Sequence, residues 1–226
     1  MFNGIEIGFI EICLYLFITH LIRKRWYDQL KSINVVSFYW MSMTVLTMIW
    51  EFCFIYQYKS VNNYAGTLME NESHVWLLND YDLSYLLPWK LSKIFYSEYG
   101  AYADREYILM SNYWSRTIEG THAILCGIFS LVAILAKTKN KHDHFLIALS
   151  VSMGTQLMNS ILYMENYFIE TADPNNVNYN NASFPCGFLL LQRGFMYVNI
   201  FWTLMPLYTI IMEFKNYRLK YIKNKF

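Results

Sequence analysis

Two carboxylates and a histidine stand in sequence that is otherwise apolar. Glu51 lies within "TMIWEFCFIY" and Glu119 within "TIEGTHAIL", with His122 three residues further on. Two carboxyl groups in unlike surroundings suit proton transfer, because burial raises the pKa of one and leaves it an acid while the other serves as a base. A histidine one helical turn from a carboxylate can serve as its proton partner. Such groups act together only if the elements that carry them pack together.

The chain of 226 residues is 55% hydrophobic and 19% aromatic, with only 15% of its residues charged. An ordinary soluble domain carries about a quarter charged residues. The apolar residues gather in five blocks of about twenty, the length a helix needs to cross a bilayer: 4–22, 35–56, 113–136, 145–168 and 188–214. The expected fold is an all-α integral membrane protein, a bundle of five transmembrane helices. The first block lacks the basic start of a cleaved signal peptide and reads as a span.

Lys and Arg near span ends set orientation. Arg23, Lys24, Arg25 and Lys31 follow the first block, Lys137, Lys139 and Lys141 the third, and Lys215, Arg218, Lys220, Lys223 and Lys225 the fifth. These segments are expected in the cytosol, with the C-terminus, and the N-terminus in the lumen of the endoplasmic reticulum. The long connection 57–112 is acidic on balance and would be lumenal. Within it, "HVWLL" and "YLLPWKLSKIFY" read as interfacial helices with Trp76 and Trp89 at headgroup level. The triplets at Asn71 and Asn181 match the glycosylation pattern and fall in lumenal connections. Cys13, Cys53, Cys126 and Cys186 form neither a disulfide framework nor a metal spacing.

Polar residues inside spans are costly unless they face the bundle interior. Glu51 and Glu119 each lie about six residues from the lumenal end of a span, roughly 9 Å deep at about 1.5 Å per residue. Gln156, Asn159 and Tyr163 form one stripe of the fourth span, and Asn199 and Trp202 share a face of the fifth, one turn before Pro206. Gln156 and Asn159 also read as ordinary interhelical glue. Arg193 reads as a partner of Glu165, and Glu6 and Glu11 as a wet helix end.

The stretch "EYGAYADREYILMSNYW", followed by Glu119-Gly120-Thr121-His122, resembles the signature of the emopamil-binding protein family. That family comprises the sterol Δ8–Δ7 isomerases and their non-catalytic paralogues, which carry the EXPERA domain. "IWEFCFIY" with Glu51, Gln156 with Tyr163, and Asn199, Trp202 and Pro206 reproduce its pattern in the second, fourth and fifth spans. The resemblance covers roughly 35–215, a sterol-binding core preceded by a first helix and basic connection (1–34) and followed by a basic tail (216–226). Two positions depart from it. Thr47 stands where the family isomerases carry His one turn before Glu51, and His122 stands where the family usually has Thr.

The resemblance implies an isomerase that shifts a ring double bond by protonation and deprotonation through a carbocation. Glu51, Glu119 and His122 would carry the proton transfers, His122 replacing the donor lost at Thr47. Thr47, Gln156, Asn159, Tyr163, Asn199 and Trp202 would bind substrate, Asn199 orienting a carboxylate and Trp202 offering its π surface to the cation. No cofactor and no metal is implied. The expected partners are a sterol or other flat lipid, cationic amphiphiles, membrane lipids and, for assembly, a second copy of the chain as a homodimer; no nucleic-acid partner is expected. The alternative is a non-catalytic binding paralogue of the same fold; a small transporter, with five spans and no internal repeat, fits less well.

Overall fold

The computed structural model describes residues 1–77, 79–109, 113–175 and 194–223, and within them the chain is helical apart from turns and one isolated β-bridge, Phe2 with Tyr81. The helices are α1 (Gly4–Arg25), α2 (Tyr27–Leu30), α3 (Val35–Tyr56), α4 (Tyr58–Glu70), α5 (Pro88–Tyr102), α6 (Arg105–Leu109), α7 (Tyr113–Thr138), α8 (His142–Ala172) and α9 (Gly194–Lys223). Four helical segments are long and apolar enough to cross a membrane: Gly4–Arg25, Val35–Tyr56, Arg116–Thr138 and His142–Ile169. They match the first four expected blocks. The expected fifth span begins at 188, outside the described residues. In its described part the helix runs on through Pro206 into Glu213, Lys215 and Arg218, so its apolar stretch ends well before the helix does. Phe9, Phe17, Ile18 and Leu21 on α1, and Ile147, Met158, Ile161, Leu162 and Ile169 on α8, lie exposed in rows. Such rows are rare on soluble monomers and suit contact with lipid tails.

Local sequence explains the helix ends. Asn3 and Glu6 form a reciprocal cap at the start of α1, each backbone N–H bonded to the other's side chain at 2.9 Å. Asn34 caps α3 by accepting the Val36 N–H at 2.9 Å. The Asn34 N–H in turn donates to buried Glu213 at 2.8 Å. Asn140, in the left-handed region at φ 57°, ends α7 and lets Lys141 N–H return to the Ala136 carbonyl.

The chain divides into two compact units, each with its own core. Unit 1 comprises Met1–Cys13, Ile49–Thr121 and Leu162–Asn199; unit 2 comprises Leu14–Met48, His122–Ile161 and Ile200–Phe226. The core of unit 1 gathers Ile7, Phe54, Val61, Leu68, Leu91, Ile94 and Ile108, and that of unit 2 gathers Phe38, Met41, Ala133, Phe145, Leu149 and Met153.

In unit 1 the connection 57–112 is folded. α5 buries Leu91, Ser92, Ile94, Tyr96, Ser97, Gly100 and Ala101, which a helix lying at an interface would not do. The expected interfacial reading therefore holds at most for its first turn, where Trp89 is exposed. The segment around Trp76 forms turns, with Val75 fully buried. It clasps the start of α1: Phe2 and Tyr81 exchange backbone hydrogen bonds of 2.9 and 2.7 Å, and Gly4 N–H donates to the Trp76 carbonyl at 2.9 Å. A Cβ on Gly4 would sit 2.9 Å from the Trp76 Cα, so a glycine is needed there. Asn71 lies exposed in the turn after α4; Asn181, Cys186 and Arg193 lie outside the described residues.

Candidate functional site in unit 1

Glu51 projects from α3, whose carboxyl end belongs to unit 1. Both of its oxygens are bonded: the Tyr96 hydroxyl donates to Oε2 and the Tyr107 hydroxyl to Oε1. The two phenols come from different helices, α5 and α6. Phe54, one turn after Glu51, stacks on the Tyr96 ring at 4.4 Å and 17° and lies 5.8 Å from Tyr107 at 23°. A carboxylate is thus held by two donors within aromatic walls.

Burial first, and then the charges of Glu51 and Glu119, hold the Tyr96 and Tyr107 phenols well above their usual pKa, so both stay protonated donors. The two carboxylates placed at matched depth by sequence both fall in unit 1.

A second chain of hydroxyls adjoins the first. Tyr163 on α8 donates to Asp104, and its oxygen lies 2.7 Å from the Tyr99 hydroxyl. Since the single Tyr163 hydroxyl hydrogen is directed at Asp104, Tyr99 is the donor to Tyr163. Asn199 on α9 hydrogen-bonds Tyr99. Burial and then the Asp104 charge raise the Tyr99 phenol far above its ordinary value. The rings interlock edge to face, as aromatic pairs prefer. Tyr107 meets Tyr99 at 5.9 Å and 83°, and Tyr163 at 5.8 Å and 88°. Asp104 is also the residue that starts α6, as a helix cap does. It is 2% exposed and accepts the Tyr107 N–H at 3.0 Å through its other oxygen. One aspartate thus both terminates the Tyr99–Tyr163 chain and sets the helical turn that carries Tyr107 to Glu51. Gly100 permits the approach of α6, since a Cβ there would collide with the Ile108 side chain.

Of the residues singled out by sequence, Glu51, Glu119, Tyr163 and Asn199 fall in unit 1, and Thr47, His122, Gln156, Asn159 and Trp202 in unit 2. In unit 2, buried Gln156 accepts the Trp40 indole N–H at 3.1 Å, and the Trp202 ring lies 4.6 Å from that of Trp40. This is the interhelical glue that Gln156 also suggested. Thr47 donates its hydroxyl to the Thr44 carbonyl of its own helix at 3.1 Å. His122 and Asn159 are half-buried on α7 and α8. Tyr96, Tyr99, Asp104 and Tyr107 were not singled out as site residues, although three of them stand in the quoted "EYGAYADREY". Their spacing carried a signal: Tyr96 and Tyr99 are one turn apart, and Asp104 lies three residues before Tyr107, the interval between a cap and the N–H it accepts.

Glu11 corrects the expectation of a wet helix end. Glu6 is exposed, but Glu11 is 8% exposed and accepts the Trp50 indole N–H at 2.9 Å. Among the described residues no three His, Cys, Asp or Glu side chains gather as a metal ion would require. Compared with family models, characterised proteins and solved structures, the chain matches none of them.

Proposed function

We propose that the chain is a membrane isomerase of flat lipids of the sterol class, residing in the endoplasmic reticulum with its C-terminus in the cytosol. The observation that carries this reading is a carboxyl group of an apolar helix, Glu51, held by two buried phenols, Tyr96 and Tyr107, with the second carboxyl, Glu119, in the same compact unit. Protonation of one alkene carbon leaves a carbocation at the other, and removal of a proton from the ring carbon on the far side of that cationic centre restores the double bond one position along. Glu51 and Glu119 hold and accept protons, Tyr96 and Tyr107 fix the Glu51 carboxyl, and the rings around them face positive charge. His122, one turn of α7 beyond Glu119, is assigned the donor role that Thr47 cannot fill. The test is incubation with a Δ8-sterol in heavy water: the wild type incorporates deuterium at the newly protonated carbon, and His122→Thr loses turnover by about 10²- to 10⁴-fold. Normal turnover in His122→Thr rejects its role, and no turnover in the wild type rejects the isomerase.

A second reading, a non-catalytic holder of sterols or cationic amphiphiles, is favoured by Thr47, whose hydroxyl is spent on its own helix. A carboxylate held by two phenols among aromatic rings attracts a lipophilic amine whether or not it transfers protons. Amine binding without isomerisation is the outcome that selects this reading.

A further inference from the structure

α1 lies outside the part of the chain that the sequence signature covers, yet it reaches the residue next to Glu51. Glu11 Oε2 accepts the Trp50 indole N–H at 2.9 Å. Trp50 is also where α5 is fastened to α3. Its backbone carbonyl accepts the Ser92 hydroxyl at 2.8 Å, and its indole stacks on Phe95 at 6.0 Å and 27°. Ser92 lies one turn before Tyr96, and Phe95 immediately precedes it. Phe95 also meets Trp76, ring centroids 5.3 Å apart, and the Trp76 carbonyl receives the Gly4 and Ile5 N–H groups of α1. Two contacts from α1 therefore bear on the short stretch of α5 that presents the Tyr96 phenol. A carboxyl group inside a span is costly, and here its neighbour is an indole N–H whose loss of an acceptor would itself be unfavourable.

We propose that Glu11 is a positioning residue for the Glu51 site: by holding the Trp50 indole it fixes the Ser92–Tyr96 edge of α5, and so the phenol delivered to Glu51. The effect on ligand binding rests on the reading of Glu51 given above; the effect on Tyr96 does not. Glu11 needs only its acceptor oxygen for this task, so a glutamine should serve in its place and a leucine should not.

The full-length chain in nonionic detergent is titrated with N,N-dimethyldodecylamine as a lipophilic cation. Glu11→Leu weakens binding about three- to tenfold, the range of one lost hydrogen bond, while Glu11→Gln stays within about twofold of the wild type. Trp50→Phe, which keeps an aromatic ring there, though a smaller one, and removes the N–H, reproduces the Glu11→Leu loss. On a Tyr96→Phe background Glu11→Leu causes no further loss, because the group it positions is gone. An equal loss on both backgrounds overturns the proposal, as does failure of Glu11→Gln to bind like the wild type. Separately, a fluorotyrosine placed at position 96 reports its hydrogen bond by fluorine NMR without ligand. Glu11→Leu moves this resonance in the direction that Glu51→Gln moves it, and an unmoved resonance overturns the proposal. If the wild type binds no amine, the reading of Glu51 as a ligand site fails, and the resonance alone decides the role of Glu11. Should Glu11→Leu fail to fold, Trp50→Phe and Glu11→Gln carry the same comparison.

Discussion

Glu51→Gln keeps the shape of the site and changes its hydrogen-bond inventory. The carboxylate offers two acceptor oxygens, one to Tyr96 and one to Tyr107. An amide offers one oxygen, and its NH₂ can only donate. One phenol is therefore left without its acceptor, at a cost of about 1–3 kcal/mol in a buried setting. Tyr107→Phe alone removes one hydrogen bond and costs about the same. Its ring keeps the contacts to Phe54, Tyr99 and Tyr163. In the double variant the inventory matches again: Tyr96 donates to the amide oxygen and no hydroxyl is stranded. The double variant should then lose about 1–3 kcal/mol rather than the roughly 2–6 kcal/mol of independent changes. Chemical unfolding in mixed micelles measures all four proteins. Losses that add in full would refute the convergence of both phenols on one carboxylate. The same Glu51→Gln change removes the charge a lipophilic amine would meet, so its affinity should fall about ten- to a hundredfold, from a charge-assisted contact of about 1.5–3 kcal/mol.

Three further outcomes follow from the geometry. Gly100→Ala places a Cβ against Ile108. It should destabilise unit 1 by about 1–3 kcal/mol while loosening Tyr107 from Glu51; an unchanged unfolding midpoint with unchanged amine affinity would contradict it. Asn34→Ala removes the α3 cap. That should cost about 0.5 to about 2 kcal/mol in the same unfolding assay, with amine binding intact. Tyr96 and Tyr107 ionise later in the folded chain than in the unfolded one. They therefore add stability below about pH 10, which is lost as pH rises through their raised folded values. An alkaline titration followed by phenolate absorbance should show late-ionising phenols, with one fewer in each of Tyr96→Phe and Tyr107→Phe.

Four helices long and apolar enough to cross a membrane were legible, because a bilayer would impose both length and composition on a helix, and depth could be counted from their ends. That count put Glu51 and Glu119 level; both fall in unit 1, and Glu51 is bonded to Tyr96 and Tyr107. The phenols themselves were hidden in the long connection. Leu and Trp residues there resemble an interfacial helix, and only tertiary packing shows that α5 buries Tyr96 under α4 and α3. Asp104 looked like one acid among several, since a cap is recognised by where the next helix begins. Glu11 was misread for a different reason. In a helix that is apolar nearly all round, no periodic stripe tells which side meets protein and which meets lipid. The side chain that answers it, Trp50, stands on another helix.

The clasp on the start of α1 also orders events in time. Phe2 is made before its partner Tyr81. At a synthesis rate of about 5–20 residues per second, roughly 4–16 seconds separate the two. During that interval the first helix has neither its β-bridge nor the turn around Trp76, and Glu11 gains Trp50 only partway through. The nascent helix must therefore persist unclasped, which its outward rows of Phe, Ile and Leu allow if lipid receives them. A chaperone or translocation factor that held α1 until residue 81 emerged would act on a stretch whose clasp, at Trp76 and Tyr81, is supplied by sequence made later.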